Sequence, residues 1–197
     1  MSADFQFDTE THSYYLDGVK LPSVTQVLNS TGVASYQDVP AMEYYLDRGT
    51  AIHKACELLS RGNLDEDSLD DRIKPYVEAF RKFLSDTDAV IEQTEVRTYH
   101  PAHRYAGTVD AVAVLNGRRC LLDYKTTVVT AWTGIQLAAY AEMLGGITEF
   151  RRFGLALTKD KTYKLVPFRD MTDRSVWYAA LTVHKWKANN NSGSKQQ

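Results

Sequence analysis

Asp110, Asp123 and Lys125 are the residues whose types and spacing could do chemistry. They lie in Gly107-Thr-Val-Asp-Ala-Val-Ala-Val-Leu-Asn-Gly-Arg-Arg-Cys-Leu-Leu-Asp-Tyr-Lys-Thr-Thr127, which reads as two strands joined at Asn116-Gly117. Asn-Gly between apolar runs is a strong hairpin signal, because a type I′ turn needs φ > 0 at both central positions. A two-residue loop sets Leu115 opposite Arg118, and therefore Asp110 opposite Asp123. Directly opposed residues share a face, with Cβ atoms about 4.5–5.5 Å apart. Carboxylates that close repel unless a cation sits between them or one takes a proton. Lys125, two residues past Asp123, returns to the same face. Such a face could hold a divalent metal ion with an ammonium beside it. The other reading is a solvated antiparallel face, where Asp and Lys are common. The apolar surroundings, residues 109–115 around Asp110 and Cys120-Leu-Leu122 before Asp123, favour the metal. Charges in strands of that type are usually paired or coordinate an ion. A register slip of one residue would separate the pair.

A second constellation is Gly49, His53 and Glu57 at i, i+4 and i+8, on one face of a helix predicted over 41–59 that opens at Pro40. A glycine inside a helix costs about 1 kcal/mol against alanine and usually marks close approach of something to the backbone. His53 and Glu57 would offer that neighbour an imidazole and a carboxylate. An ordinary surface or core histidine is the competing reading.

These residues need elements to hold them. Residues 5–8, 13–16 and 19–21 read as a small N-terminal hairpin closed by Pro22. Ser23 caps a helix expected over 24–28 and stopped by residues 29–32, and turn chemistry accounts for Ser23 and Thr25. An acidic linker over 63–71 precedes a helix whose Ile73, Tyr76, Val77, Phe80, Phe83 and Leu84 keep helical spacing, with Pro75 tolerable only in its first turn. Residues 89–98 read as a strand in which Glu95 could join the carboxylates but is expected to be exposed on an edge. After the central hairpin comes a helix over 131–144, with Gln136 and Tyr140 on one face. A second hairpin over 153–157 and 163–168 follows, and then a helix over 170–187 that buries Val176, Trp177, Ala180, Leu181 and His184. Residues 189–197 are low-complexity and expected to be disordered. The order predicts an α/β or α+β fold, a mixed central β-sheet flanked by helices. It forms one domain over 1–188, with the hairpin and helices of 1–62 appended to the core.

Composition excludes several classes. At 197 residues, with 44% hydrophobic and 24% charged, one globular domain is expected. No apolar run approaches a membrane span, and the first residues carry no secretory signal pattern. Two cysteines, Cys56 and Cys120, cannot supply the four ligands of an iron–sulfur cluster or a four-cysteine zinc site, and as buried thiols they suit a cytoplasmic protein. The net charge of −2 hides an asymmetry: residues 1–96 hold 8 Lys+Arg and 18 Asp+Glu, net −10, whereas 97–197 hold 15 and 7, net +8. A basic surface for phosphate is compatible with that division.

Four features stand in one order: Gly49-x-x-x-His53-x-x-x-Glu57, Gly107-Thr-Val-Asp110, Asp123-Tyr-Lys125 and Gln136-x-x-x-Tyr140. Together they resemble the RecB-type branch of the PD-(D/E)XK nuclease superfamily. The stretch Gly18-Val-Lys-Leu-Pro-Ser-Val-Thr-Gln-Val-Leu28 and the run Asp123-Tyr-Lys-Thr-Thr127 are similar to small phage exonucleases and to the mitochondrial genome maintenance exonuclease. The resemblance spans about residues 18–140, and with only two cysteines it implies a version without an iron–sulfur cluster. It implies a restriction-endonuclease-like core and a Mg²⁺ or Mn²⁺ site made by His53, Asp110, Asp123 and the Tyr124 carbonyl, imidazole shifting preference towards Mn²⁺. Glu57 would hold the attacking water or a second, weaker ion, and Lys125 would orient that water and offset charge on the phosphate. Gln136 and Tyr140 would hold the substrate strand, with Thr126, Thr127 and Ser23 as further phosphate contacts. Some of the 12 tyrosines could stack on unpaired bases.

The implied activity is a metal-dependent DNA exonuclease acting on ends or single strands in replication, recombination or repair. The alternatives are a structure- or sequence-specific endonuclease on the same site, and a non-catalytic DNA- or protein-binding module. A helicase, recombinase or single-strand-binding protein would be the partner expected beside DNA, in a bacterial or phage-infected cytoplasm. Polarity and oligomeric state are left open by the residues.

Overall fold

Among the described residues the chain forms eight strands and five helices. The structure, a computed structural model, describes residues 3–34, 42–126 and 128–191. Three strands, β1 (Phe5–Asp8), β2 (Ser13–Leu16) and β3 (Val19–Leu21), form a separate antiparallel sheet. Helix α1 (Val24–Thr31) follows, then α2 (Met42–Ser60) and α3 (Lys74–Thr87). A five-stranded sheet in sequence order is built from β4 (Val90–His100), β5 (Tyr105–Leu115), β6 (Arg118–Lys125), β7 (Arg151–Leu157) and β8 (Tyr163–Phe168). Between β6 and β7 runs α4 (Trp132–Met143), and α5 (Thr172–Asn191) closes the described chain. Every strand pair is antiparallel except β6–β7, whose parallel pairing requires the α4 crossover. The fold is thus α+β, a mixed sheet flanked by helices.

Two apolar layers hold the sheet. On one side Val109, Val112 and Leu121 pack with α1, α4 and α5 around Trp177 and Leu137. On the other, Ala111, Ala113, Leu122 and Tyr124 pack with α2 and α3 around Phe80 and Phe83. A third cluster, with Tyr14, Leu16 and Leu21 against Ala106, docks the N-terminal sheet on β5.

The turn chemistry behaves as the sequence predicts. Asn116 and Gly117 have φ of 52° and 71°, and Leu115 pairs with Arg118. Pro75 sits in the first turn of α3. Other expectations need correction. Helix α1 runs three residues past 28, because the Ser30 and Thr31 hydroxyls bond back to the Val27 carbonyl and Gly32 closes the helix in the left-handed region. Helix α5 continues through Asn191, where a disordered tail is predicted from 189; Asn190 Nδ2 donates to the Trp186 carbonyl at 2.8 Å. Val176 is 40% exposed rather than buried, since Trp177, Ala180 and Leu181 take the inward row of that helix. The expected close neighbour of Gly49 is missing: among the described residues nothing lies within 4 Å of where its Cβ would stand. Pro40 lies outside the described residues.

Candidate active site

The β5–β6 ladder keeps its register from the turn to Ala111–Leu122 and opens one position before Asp110 and Asp123. In place of the next ladder bond, the Tyr124 N–H donates to Asp110 Oδ2 at 2.7 Å. Side-chain alternation breaks at the same point. Val109 belongs to the α4–α5 layer and Ala111 to the α2–α3 layer, although residues two apart in a regular strand share a face. The break turns Asp110 into the fork between the strands. Asp123 enters the fork from β6, only 3% exposed. Lys125 Nζ stands 2.6 Å from Asp123 Oδ2 and 5.4 Å above the Trp132 ring.

Helix α2 delivers the imidazole. Ile52 and Cys56, four residues apart, are fully buried in the α2–α3 layer and thereby seat the adjacent row, His53 and Glu57, against the strand ends. His53 Nε2 is 3.0 Å from the Tyr124 carbonyl oxygen, and Nδ1 is 3.6 Å from Asp110 Oδ1. Burial alone would lower the His53 pKa. The Asp110 carboxylate, by charge and contact, and then Asp123 overcome this and raise it to about 9. At neutral pH an imidazolium therefore bridges Asp110 and the Tyr124 carbonyl. Burial pushes Asp110 up, but His53 and Lys125 hold it below the ordinary carboxylate value. Asp123 goes the other way, raised by burial and by Asp110 despite Lys125.

Glu95 joins this cluster, correcting the expected edge exposure. Thr94 pairs with Ala111 and Val96 with Val109, so Glu95 stands opposite Asp110, with a left-handed φ of 52° that departs from strand geometry. Burial and then the charge of Asp110 raise its pKa. One ligand atom each from His53, Glu95 and Asp110 lie within 4.8 Å of one another. Carboxylate oxygens with one imidazole suit Mg²⁺ or Mn²⁺, and carboxylates that close repel unless a cation sits between them or one takes a proton. The residues fit a divalent ion.

Glu57 is buried one turn beyond His53, but outside that grouping. Lys54 and Arg61 approach its two oxygens at 2.8 and 2.9 Å. Its charge still reaches Glu95 and helps raise that pKa. Gln136 Nε2 donates to the Tyr140 hydroxyl at 3.1 Å, and both side chains are buried. Gly107 makes room for Tyr140: a Cβ there would meet the ring at 2.7 Å. Ser23 forms a capping box with Gln26, its hydroxyl oxygen accepting the Gln26 N–H at 3.1 Å. Thr126 is half-buried just past Lys125, and Thr127 lies outside the described residues.

A cleft of about 470 Å³ opens over this fork. Asp110, Asp123, Lys125 and His53 line its floor, with Gln136, Tyr140 and Ser23 around them. The N-terminal sheet contributes Phe7, His12 and Tyr14, and β4 contributes Arg97. None of these four was singled out as a site residue from sequence. The signal was absent, since Tyr14 meets Thr108 across 94 residues, hydroxyl to hydroxyl at 2.7 Å.

No family model and no curated protein matches this chain. Among solved structures it is similar to the alkaline exonuclease LHK-Exo from Laribacter hongkongensis, at 11% identity and a TM-score of 0.37 over 87% of this chain and 93% of that one. The same exonuclease in complex with dAMP gives 14% identity and a TM-score of 0.33 over 88% and 94%. The protein SSO0001 gives 12% and 0.36 over 80% of each chain. At such identities the chemistry has to be read from the side chains.

Proposed function

We propose that the chain is a Mg²⁺- or Mn²⁺-dependent deoxyribonuclease acting as an exonuclease on strand ends or single strands. One observation carries this reading: the carboxylates of Asp110, Asp123 and Glu95 and one imidazole gather at a strand fork, with an ammonium 2.6 Å from Asp123. A structural ion pair does not require that excess of acid, whereas a cation-binding hydrolytic site does. The exonuclease form draws on the motif resemblance, and so does service in recombination or repair.

Asp110, Asp123, His53 and the Tyr124 carbonyl would hold the ion, with Glu95 as a further oxygen donor beside them. The bound cation would polarise the scissile phosphate and lower the pKa of the attacking water. His53 gives up its proton to serve, which the raised pKa makes pH-dependent. Lys125 is held ready by Asp123 and offsets charge that grows on the phosphate. Glu57, pinned by Lys54 and Arg61, would order water next to the ion. Gln136 and Tyr140, locked to each other, present a fixed edge to the strand, and Ser23, Thr126 and Thr127 are the proposed phosphate contacts.

End-labelled linear and circular single-stranded DNA test this reading with Mg²⁺, Mn²⁺ and EDTA. The expected result is mononucleotide release from linear DNA with either ion, none in EDTA, and intact circles. Lys125→Ala should lower kcat by about 10²–10³-fold, the usual loss for one charge-stabilising donor, in a protein that still melts cooperatively. Cleavage of circles would reassign the site to an endonuclease. Full activity in EDTA would refute the metal-dependent reading.

A further inference from the structure

The N-terminal sheet has a place in the cleft that the metal chemistry does not use. The Arg97 guanidinium lies over Phe7, with Cζ 4.3 Å from the ring centroid. Phe7 also contacts His12, edge-on at 5.7 Å, and Tyr14, tilted at 4.9 Å. Tyr14 is itself fixed to β5 through its hydroxyl bond to Thr108. The stack is therefore anchored to the strand that carries Asp110. Arg97 is exposed and has no ion-pair partner among the described residues. It sits two residues from Glu95 on β4, and both line the same cleft.

A lysine or serine would suffice to touch a phosphate. A guanidinium over an aromatic ring, exposed on the cleft, offers something else, a planar group on which a base can stack. Unpaired bases stack on such planes, and a base inside a duplex is not available to do so. We propose that Arg97, backed by Phe7, His12 and Tyr14, forms a subsite that stacks one unpaired nucleobase of a single-stranded substrate next to the acidic cluster. This rests on the nuclease reading above and adds to it the strandedness of the substrate. It also gives the N-terminal sheet a role in selecting that substrate.

The test uses the full chain in Ca²⁺, with fluorescein-labelled oligothymidylate, an abasic oligomer of equal length and a blunt duplex. Arg97→Ala and Arg97→Lys are both expected to weaken oligothymidylate binding about tenfold, within the range of one stacked base. The lysine keeps the charge and loses the plane. Abasic and duplex binding should not respond to either change. Wild-type binding by Arg97→Lys, an equal loss on the abasic oligomer, or no loss in Arg97→Ala would each overturn the subsite. Wild-type hydrolysis of bis-p-nitrophenyl phosphate with Mn²⁺ is measured alongside. Hydrolysis of this diester together with oligothymidylate binding that does not respond to Arg97 removes the subsite alone, whereas failure to hydrolyse both the diester and DNA removes the nuclease reading beneath it.

Discussion

On His53, burial and charge pull in opposite directions. Its ordinary pKa is about 6.5, and the surrounding carboxylates lift it to about 9 against the cost of burial. The folded value lies above the unfolded one. The stabilisation from its proton is therefore complete below about pH 6.5 and disappears as pH rises through about 9. The metal-free wild type should accordingly lose its melting-temperature advantage over His53→Gln between those limits, in scans at successive pH values. A gap that stays constant, or widens with pH, would contradict the imidazolium bridge. His53 was legible from its helical spacing with Glu57, and the arithmetic of a two-residue turn brought Asp110 and Asp123 near each other, although the ladder stops at Ala111–Leu122, one pair short of them. Glu95 was not. Its entry into the cluster depends on a left-handed backbone at a strand position, a conformation that no neighbouring residue type announces.

At the scale of elements, the β6–α4–β7 crossover must be held rigidly for the strand fork to keep its shape. Arg152 supplies a clamp that its sequence position, at the start of a strand, does not suggest. Its side chain is 2% exposed. Its Nη1 donates to the Gly134 carbonyl and to Asp173 Oδ2, both at 2.8 Å, and Nη2 to the Asp170 carbonyl at 2.7 Å. One guanidinium thus ties β7 to α4 and to the start of α5. Arg152→Ala leaves these acceptors without their donor and should cost about 3–5 kcal/mol in urea unfolding, the range for breaking a buried ion pair. A loss below about 1 kcal/mol would place it with ordinary surface pairs. The hairpin was readable because Asn-Gly fixes both register and turn type locally. The ends of α1 and α5 were not, because side-chain bonds back to earlier carbonyls extended both helices past their polar residues.

Across the whole molecule, the cleft lies where three separate packing units meet. The α2–α3 layer brings His53, the α4–α5 layer brings Gln136 and Tyr140, and the N-terminal sheet brings Phe7, His12 and Tyr14. Periodicity indicated that each unit exists and which residues it buries. It carried no information on how the N-terminal sheet docks, because that contact is made through Ala106 and Thr108, neither of which differs in type from ordinary strand residues. Charge at the cleft does not follow the division between the two halves of the chain, since Asp110 and Asp123 come from the basic half. Acidic residues 57, 95, 110 and 123 gather near one fork, while Arg97 and Lys125 stand on the same cleft. An arrangement of that kind binds a cation first and a polyanion through it. Electron paramagnetic resonance of Mn²⁺ titrated into wild type, Asp110→Asn and Asp123→Asn tests this most directly. Wild type should take up Mn²⁺ with loss of the free-ion signal, and both variants, still folded by their melting curves, should leave that signal intact. Equal uptake by all three proteins would show that the ion, if it binds, does not bind at the fork.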